Sequence, residues 1–280
     1  MKLIASFRVF FLLFFTALAF CLGARIWLRQ SGLINYTTGF YEGAPDLVLA
    51  FNAVLALCVV AFYAVYLLRR TERDYPVLHG SKPVCLFAIL TGIATALYQL
   101  EALRIPALLT ANPGARLDGI SLIVSAVLGL FSAVVFITIG VTGLFGRAGM
   151  RGGVPTLMAG IWLVVTLIFK FNGYTTLTSI SDHLLTVLFM VFGALFLVGH
   201  ARTLGGFDRK DGRNYTIPSG LATALFGFLL TIPNWVYLAA NKTLSLPAPL
   251  LGTFESVFIF FMSAYALLFV RHICLSIQSV

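Results

Sequence analysis

One carboxylate, that of Glu255, lies inside the last apolar stretch of the chain, residues 247–270. Eight positions separate Glu255 from Pro247, and the rise of an α-helix then places the carboxyl group roughly 12 Å inside that end of the stretch. An ionisable group at this depth costs about 2.5–3.5 kcal/mol on insertion scales, and it usually faces the bundle interior beside a partner. The sequence therefore predicts that neighbouring helices supply polar partners for Glu255.

Other polar residues fall at a similar depth when each apolar stretch is counted inward from the same end. Asn234 matches Glu255 closely, and it follows Pro233, a residue that frees a backbone carbonyl and can kink or interrupt a helix. We expect these residues to converge in a polar pocket in the outer half of the bilayer, suited to a small polar or cationic solute or to a proton. The candidate pocket consists of Glu255, Asn234, Lys170, Gln99, Glu101, Asn52, Tyr237 and Tyr98.

A structural role explains the same residues without a ligand. Glu101 can pair with Arg104 one turn further on, and Lys170 can extend its ammonium group to the membrane surface. Asn and Gln side chains often only join transmembrane helices by hydrogen bonds. The sequence leaves both interpretations open.

The composition indicates that helices in a bilayer position these residues. The chain has 280 residues, of which 60% are hydrophobic and 10% charged, whereas soluble domains carry about 25% charged residues. The apolar residues fall in blocks of about twenty, the length of helix that spans about 30 Å of hydrocarbon. The predicted fold class is all-α: a polytopic transmembrane helical bundle that forms one integral membrane domain over residues 1–280.

The apolar blocks predict eight spans, at about 4–23, 47–68, 83–104, 119–145, 154–171, 183–200, 219–240 and 247–270. With the N-terminus inside, most of the 19 Lys and Arg residues fall on the cytoplasmic side, as the positive-inside rule requires. We therefore expect both termini to lie in the cytoplasm, in a bacterial-type cytoplasmic membrane. The first span follows basic residues, as in a signal peptide, but its poor cleavage site favours retention as an anchor.

Each of the four predicted inward-going helices, which are the second, fourth, sixth and eighth spans, carries an acidic residue toward its start. A cation lies in each preceding outer turn. Capping explains this pattern, because the unpaired N–H groups and the dipole at a helix N-terminus favour a carboxylate. Duplicated helical hairpins, as in many transporters, would also produce it. Glu255 does not fit the capping account, since its predicted depth is greater than that of the others. The acids are Asp46, Asp118, Asp182 and Glu255, and the cations are Arg25, Arg104, Lys170 and Lys242.

Small residues recur every four positions in the third and fourth spans, and such stripes predict close helix packing. This pattern predicts that the two spans are central elements of the bundle. Residues 201–218 are predicted to form a solvated inner turn, and residues 24–46 form an outer loop long enough to fold over the bundle mouth. The small residues are Ala88, Gly92 and Ala96 in the third span and Ser121, Ser125, Gly129 and Ala133 in the fourth.

Several classes of function lack their signatures in this sequence. The net charge of +9 comes from short loops and not from one basic face, so nucleic acid is not an expected partner. The four cysteines form no CxxC pair. HExxH, Walker and Gly-x-Ser-x-Gly motifs do not occur in the sequence. We therefore nominate no catalytic, cofactor-binding or metal-binding residue, and we expect no cofactor.

Two classes of function fit these observations best. The first is a transporter or permease, with Glu255, Asn234, Lys170 and Gln99 lining an outward-opening cavity and Pro233 as a hinge. The second is a non-catalytic membrane subunit or sensor that acts through a partner protein on its basic cytoplasmic loops, at Arg69, Arg70 and Arg73. An intramembrane enzyme of unfamiliar chemistry is a third alternative.

Overall fold

The structure, a computed structural model, confirms the predicted all-α bundle. It describes residues 2–34, 41–43, 45–68, 81–103, 116–145, 154–173, 181–205, 209–241 and 252–278. Over these residues the chain forms eight helices, which are α1 Lys2–Gln30, α2 Pro45–Leu68, α3 Lys82–Ala102, α4 Arg116–Phe145, α5 Val154–Gly173, α6 Ser181–Gly205, α7 Arg209–Asn241 and α8 Thr253–Gln278.

Most of these helices have the dimensions of membrane spans. Seven are long and apolar enough to cross a bilayer, and α5 contributes a shorter apolar helix, Pro155–Phe171. Large hydrophobic side chains such as Leu49, Val134 and Phe145 remain exposed on the bundle surface. Such a surface suits acyl chains and not water. By length and composition, the chain is a multi-pass helical membrane protein.

Helices α3 to α8 form a closed ring in chain order. Each packs against the next, and α8 packs back against α3. Helices α1 and α2 contact each other and pack against α7 from outside the ring. Helix α7 therefore has neighbours on nearly all sides and is the most buried of the candidate spans.

Small residues permit close approach at two contacts in this ring. A β-carbon built on Gly92 of α3 would lie 2.7 Å from the carbonyl oxygen of Ala133 in α4. One built on Gly227 of α7 would lie 3.0 Å from the β-carbon of Ser263 in α8. The close helix packing predicted from the small residues of the third and fourth spans is confirmed, and the structure shows that these two helices pack against each other. The third and fourth spans are not the central elements that the sequence predicts, because the most buried span is α7.

Aromatic side chains fill the middle of the ring. Phe258 of α8 contacts Trp162 of α5, with ring centroids 5.2 Å apart, and Phe189 of α6, with centroids 6.3 Å apart. About two turns further along α8, Tyr265 packs against Phe136 of α4. All five side chains are buried. The described residues therefore form a closely packed centre, in which Tyr265 shares a hydrogen bond with the buried His200. The salt bridges between helices lie nearer the helix ends.

One end of the bundle carries most of the charged contacts between helices. It is the end at which α1, α3, α5 and α7 finish and α2, α4, α6 and α8 begin, and we call it the polar end. The charge distribution predicts that this end faces outside. Its residues come from helices remote in sequence, so ring closure and the docking of α1 on α7 bring them together.

Three helix boundaries differ from the predicted ones. Helix α1 continues to Gln30, so Arg25 and Arg29 are helical and do not begin a loop. Helix α7 begins at Arg209, so the solvated turn predicted for 201–218 is wrong; α6 extends to Gly205. Polar residues can continue a helix beyond an apolar core, and hydropathy alone does not register this.

The third difference concerns Glu255. Gly252 is not helical and α8 begins at Thr253, so Glu255 lies in the first helical turn and not two turns inside. The greater depth predicted for this residue is wrong, because an apolar sequence does not by itself show where the helix starts. Glu255 therefore fits the helix N-terminal pattern of the other acids.

Candidate functional site

Lys170 and Glu255 meet at the polar end of the ring. The ammonium group of Lys170, at the end of α5, donates to Oε1 of Glu255, at the start of α8. Each charge is favoured by its helix terminus, since cations suit C-terminal ends and anions suit N-terminal ends. Their side chains are 22% and 12% exposed. The pair is therefore partly hydrated and can exchange partners without stranding a fully buried charge.

A pocket of about 230 Å³ lies beside this pair, between α3, α4 and α5. Its volume exceeds the space that a single water needs, and it can hold several waters or one small solute. Ser125 and Thr166 hydrogen-bond across it at 2.8 Å. We call this cavity the Gln99 pocket, and its walls are formed by Tyr98, Gln99, Ala102, Ser121, Leu122, Ser125, Thr166, Phe169 and Lys170.

A buried donor in the wall of the Gln99 pocket lacks an acceptor. Within the described part of the chain, neither Nε2 of Gln99 nor Nε1 of the neighbouring Trp162 has a hydrogen-bond partner. A β-carbon on Gly129 would lie 2.6 Å from Cδ of Gln99 and 2.9 Å from Nε1 of Trp162, so both side chains pack tightly against Gly129. Of the two donors, only Gln99 lines the pocket. Because burying an unsatisfied donor costs about 1–3 kcal/mol, an acceptor atom from a solute or water in the pocket would be stabilised beside Gln99.

A second carboxylate lies near the Lys170–Glu255 pair. A β-carbon built on Gly252 would be 3.8 Å from Oε2 of Glu101 and 4.0 Å from the β-carbon of Glu255. Arg104, the alternative partner considered for Glu101, lies outside the described residues. Lys170 thus lines the Gln99 pocket, and the two acids Glu101 and Glu255 lie near it. Two acids beside one ammonium group favour a solute that carries a cationic group.

Asn234 belongs to a different group of residues. The guanidinium of Arg29 donates through Nη1 to Oδ1 of Asn234, and through Nη2 to Asp182 at 3.0 and 3.2 Å. Arg25 also forms a salt bridge with Asp182. All four side chains are buried. We call this group the arginine cluster; it links α1 to α6 and α7.

The remaining predicted residues lie elsewhere. Tyr237 lines a cavity between α1 and α7 that also contacts Arg29. Asn52 lines a mainly apolar cavity between α2, α6 and α7. The structure therefore brings Glu255, Lys170, Gln99, Glu101 and Tyr98 together, and it places Asn234, Tyr237 and Asn52 apart from them.

Sequence reasoning missed the arginine cluster. The sequence predicts an outer loop for Arg25 and Arg29 and a helix cap for Asp182. One pattern does indicate a shared site, because an Arg-x-x-x-Arg spacing places both side chains on one helical face. No proline or glycine interrupts the helix between Gly23 and Gly32. The pairing of that face with α6 could not be inferred without the docking of α1 on α7.

The described residues contain no group of three His, Cys, Asp or Glu side chains that could hold a metal ion. Comparison of the chain with protein-family models, with curated proteins and with solved structures finds no match. The geometry of the polar end is therefore the main indication of what the protein does.

Proposed function

We propose that this multi-pass membrane protein is a transporter or permease that binds a small polar or cationic solute in the Gln99 pocket. The observation that carries the proposal is the unsatisfied donor Nε2 of Gln99, in the wall of a cavity that borders the exchangeable Lys170–Glu255 ion pair. Polar residues inside membrane proteins commonly mark substrate pathways.

The residues suggest a division of roles for the solute's two ends. Gln99 donates to an acceptor atom such as a carbonyl or hydroxyl oxygen. Glu101 and Glu255 at the rim attract a cationic group, which competes with Lys170 for Glu255. Entry from the polar end then replaces one ion pair by another, so the carboxylate need not lose its partner.

The aromatic centre of the ring gives the pocket a floor. Tyr98 lines the pocket and stacks on Phe258, with ring centroids 5.7 Å apart and planes 5° from parallel. Movement of a solute past this level requires the aromatic side chains or the helices to shift. The proposal therefore includes an alternating-access motion, with the closed centre as one state.

The test begins with binding, because the solute is unidentified. The purified protein in nanodiscs is screened by thermal unfolding against amino acids, polyamines, small sugars and organic acids. Any stabilising compound is then tested for uptake into proteoliposomes. We expect a solute with both an acceptor oxygen and a cationic group to raise Tm, and Gln99→Leu to weaken its binding about tenfold or more.

Two threonines supply a matched control. Thr166→Val removes a hydroxyl that faces the Gln99 pocket, whereas Thr138→Val removes one from an exposed face of α4. Binding should weaken only in the first variant. If no compound stabilises the protein or accumulates in vesicles, or if Gln99→Leu and Glu255→Gln leave uptake unchanged, the proposal is wrong.

A further inference from the structure

Two guanidinium groups of the arginine cluster contact the same carboxylate. Those of Arg25 and Arg29 both form salt bridges with Asp182. Arg25 is 0% exposed and Asp182 is 2% exposed. A buried charged group is costly unless it is paired and its hydrogen-bond donors are satisfied. Any donor of Arg25 that Asp182 does not satisfy therefore favours a further acceptor.

Its hydrogen-bond donors also exceed its acceptors. Within the described residues, Nε and Nη1 of Arg25 and Nδ2 of Asn234 have no hydrogen-bond partner. Both residues are fully buried. An oxyanion has several acceptor lone pairs, and it forms short charge-assisted bonds to guanidinium groups. The unsatisfied donors of Arg25 and Asn234 and the positive charge of the guanidinium groups therefore both indicate an oxyanion as the ligand.

A cavity gives access to the cluster. It has a volume of about 320 Å³, lies between α1 and α7, and has Arg29 on its wall. Gln30 and Ala240, which also line it, are exposed near the last turns of their helices. In a membrane-spanning bundle these turns lie at the level of the headgroups. An anionic group can therefore enter between the two helices from the membrane interface.

We propose that the arginine cluster binds a phosphate-type oxyanion through this cavity. Arg29 contacts the oxyanion at the cavity wall, Asn234 lies beside it as a second donor, and Arg25 adds positive charge from one helical turn deeper. The oxyanion belongs either to an anionic lipid headgroup or to free phosphate. This site is separate from the Gln99 pocket and does not depend on the transporter proposal.

The experiment measures Tm in two arms, because the two sources of phosphate differ in how they reach the site. In one arm the full-length protein, delipidated in a neutral detergent, is titrated with inorganic phosphate. In the other it is placed in nanodiscs of phosphatidylcholine alone or with phosphatidylglycerol, and native mass spectrometry counts retained lipids. Stabilisation by phosphate indicates free phosphate, and stabilisation by phosphatidylglycerol alone indicates a lipid headgroup.

Arg25→Met is the main variant, since it removes the guanidinium group whose Nε and Nη1 have no partner among the described residues. We expect it to weaken the response to the anion about tenfold or more. Arg8→Met makes the same change of charge at an exposed position of the same helix and should respond as the wild type does. Val236→Trp fills the cavity without altering charge, and it should also abolish the response even if Arg25→Met fails to fold.

Either of two results would overturn the proposal. One is the absence of stabilisation in both arms for the wild-type protein. The other is an anion response in Val236→Trp, or in a folded Arg25→Met variant, equal to that of the wild type.

Discussion

The two polar groups at one end of the bundle differ in burial and in charge balance. The arginine cluster is buried, and its two guanidinium groups share one described carboxylate. The Lys170–Glu255 pair is partly exposed, has a second acid nearby and borders a pocket. Buried charges that hold three helices together are determinants of the fold. A partly hydrated pair at a cavity rim can instead change partners when a solute arrives.

The largest effect is expected from Asp182→Asn. This change leaves two buried guanidinium groups without their shared carboxylate, and breaking a buried ion pair costs about 3–5 kcal/mol. The free energy of unfolding should fall by that amount, measured by denaturant titration in mixed micelles. Glu255→Gln is the matched control; because Glu255 is partly exposed, its cost should not exceed about 1 kcal/mol. Equal losses in the two variants would contradict the comparison.

Gly129→Ala should displace the Gln99 side chain, which forms part of the wall of the Gln99 pocket. The added methyl group would lie within 3.0 Å of Gln99 and Trp162, and overpacking of this kind costs about 1–3 kcal/mol. We expect lower Tm and loss of binding for any solute that stabilises the wild type. A control is Gly23→Ala on α1, where the structure has no atom within 4 Å of the new β-carbon. Unchanged binding in Gly129→Ala would separate the solute site from this pocket.

Charge exchange tests whether Lys170 and Glu255 act on each other. Lys170→Glu and Glu255→Lys each place like charges together, and the double variant restores an ion pair. A double-mutant cycle should give a coupling energy of about 1 kcal/mol. The restored pair remains weaker than the original, because each charge then opposes its helix dipole. Additive effects of the two single changes would show that the contact contributes nothing.

The smallest effect is expected from salt, which should weaken the Lys170–Glu255 contact more than the contacts of the arginine cluster. At about 1 M NaCl the Debye length is about 3 Å, so the coupling of the exposed pair should largely disappear. The cost of Asp182→Asn should change little, since its partners are buried. Parallel cycles at low and high salt measure both quantities. Equal salt sensitivity would indicate that the arginine cluster is open to solvent.

The sequence predicted the fold class and the polar layer for physical reasons that are local to each segment. Apolar runs of membrane length indicated the helices, and depth along each run placed Lys170 and Gln99 near one level. The choice of partners depended on the tertiary arrangement. Arg25 precedes Asp46 in the chain but pairs with Asp182, and Lys170 precedes Asp182 but pairs with Glu255.

Those cross-pairings arise from two contacts that no local pattern contains. The docking of α1 on α7 brings Arg25 and Arg29 to the start of α6, and closure of the ring brings α8 toward α5. The depth argument for Glu255 failed because Gly252 is not helical and α8 starts at Thr253. Arg69, Arg70 and Arg73, on which the subunit hypothesis depends, lie outside the described residues, and that hypothesis stays a prediction.

The most direct test of the account compares access to the Gln99 pocket with access to the Asp182 side of the arginine cluster, which does not line the cavity between α1 and α7. Ser121→Cys and Thr186→Cys are introduced separately after replacement of Cys21, Cys58, Cys85 and Cys274 by alanine. Each variant is treated with a membrane-impermeant methanethiosulfonate reagent. Ser121 lines the pocket and Thr186 is 1% exposed, one turn from Asp182. We predict rapid modification of the Ser121→Cys variant and none of the folded Thr186→Cys variant; failure of the Ser121→Cys variant to react would contradict a solute pocket at this end of the bundle.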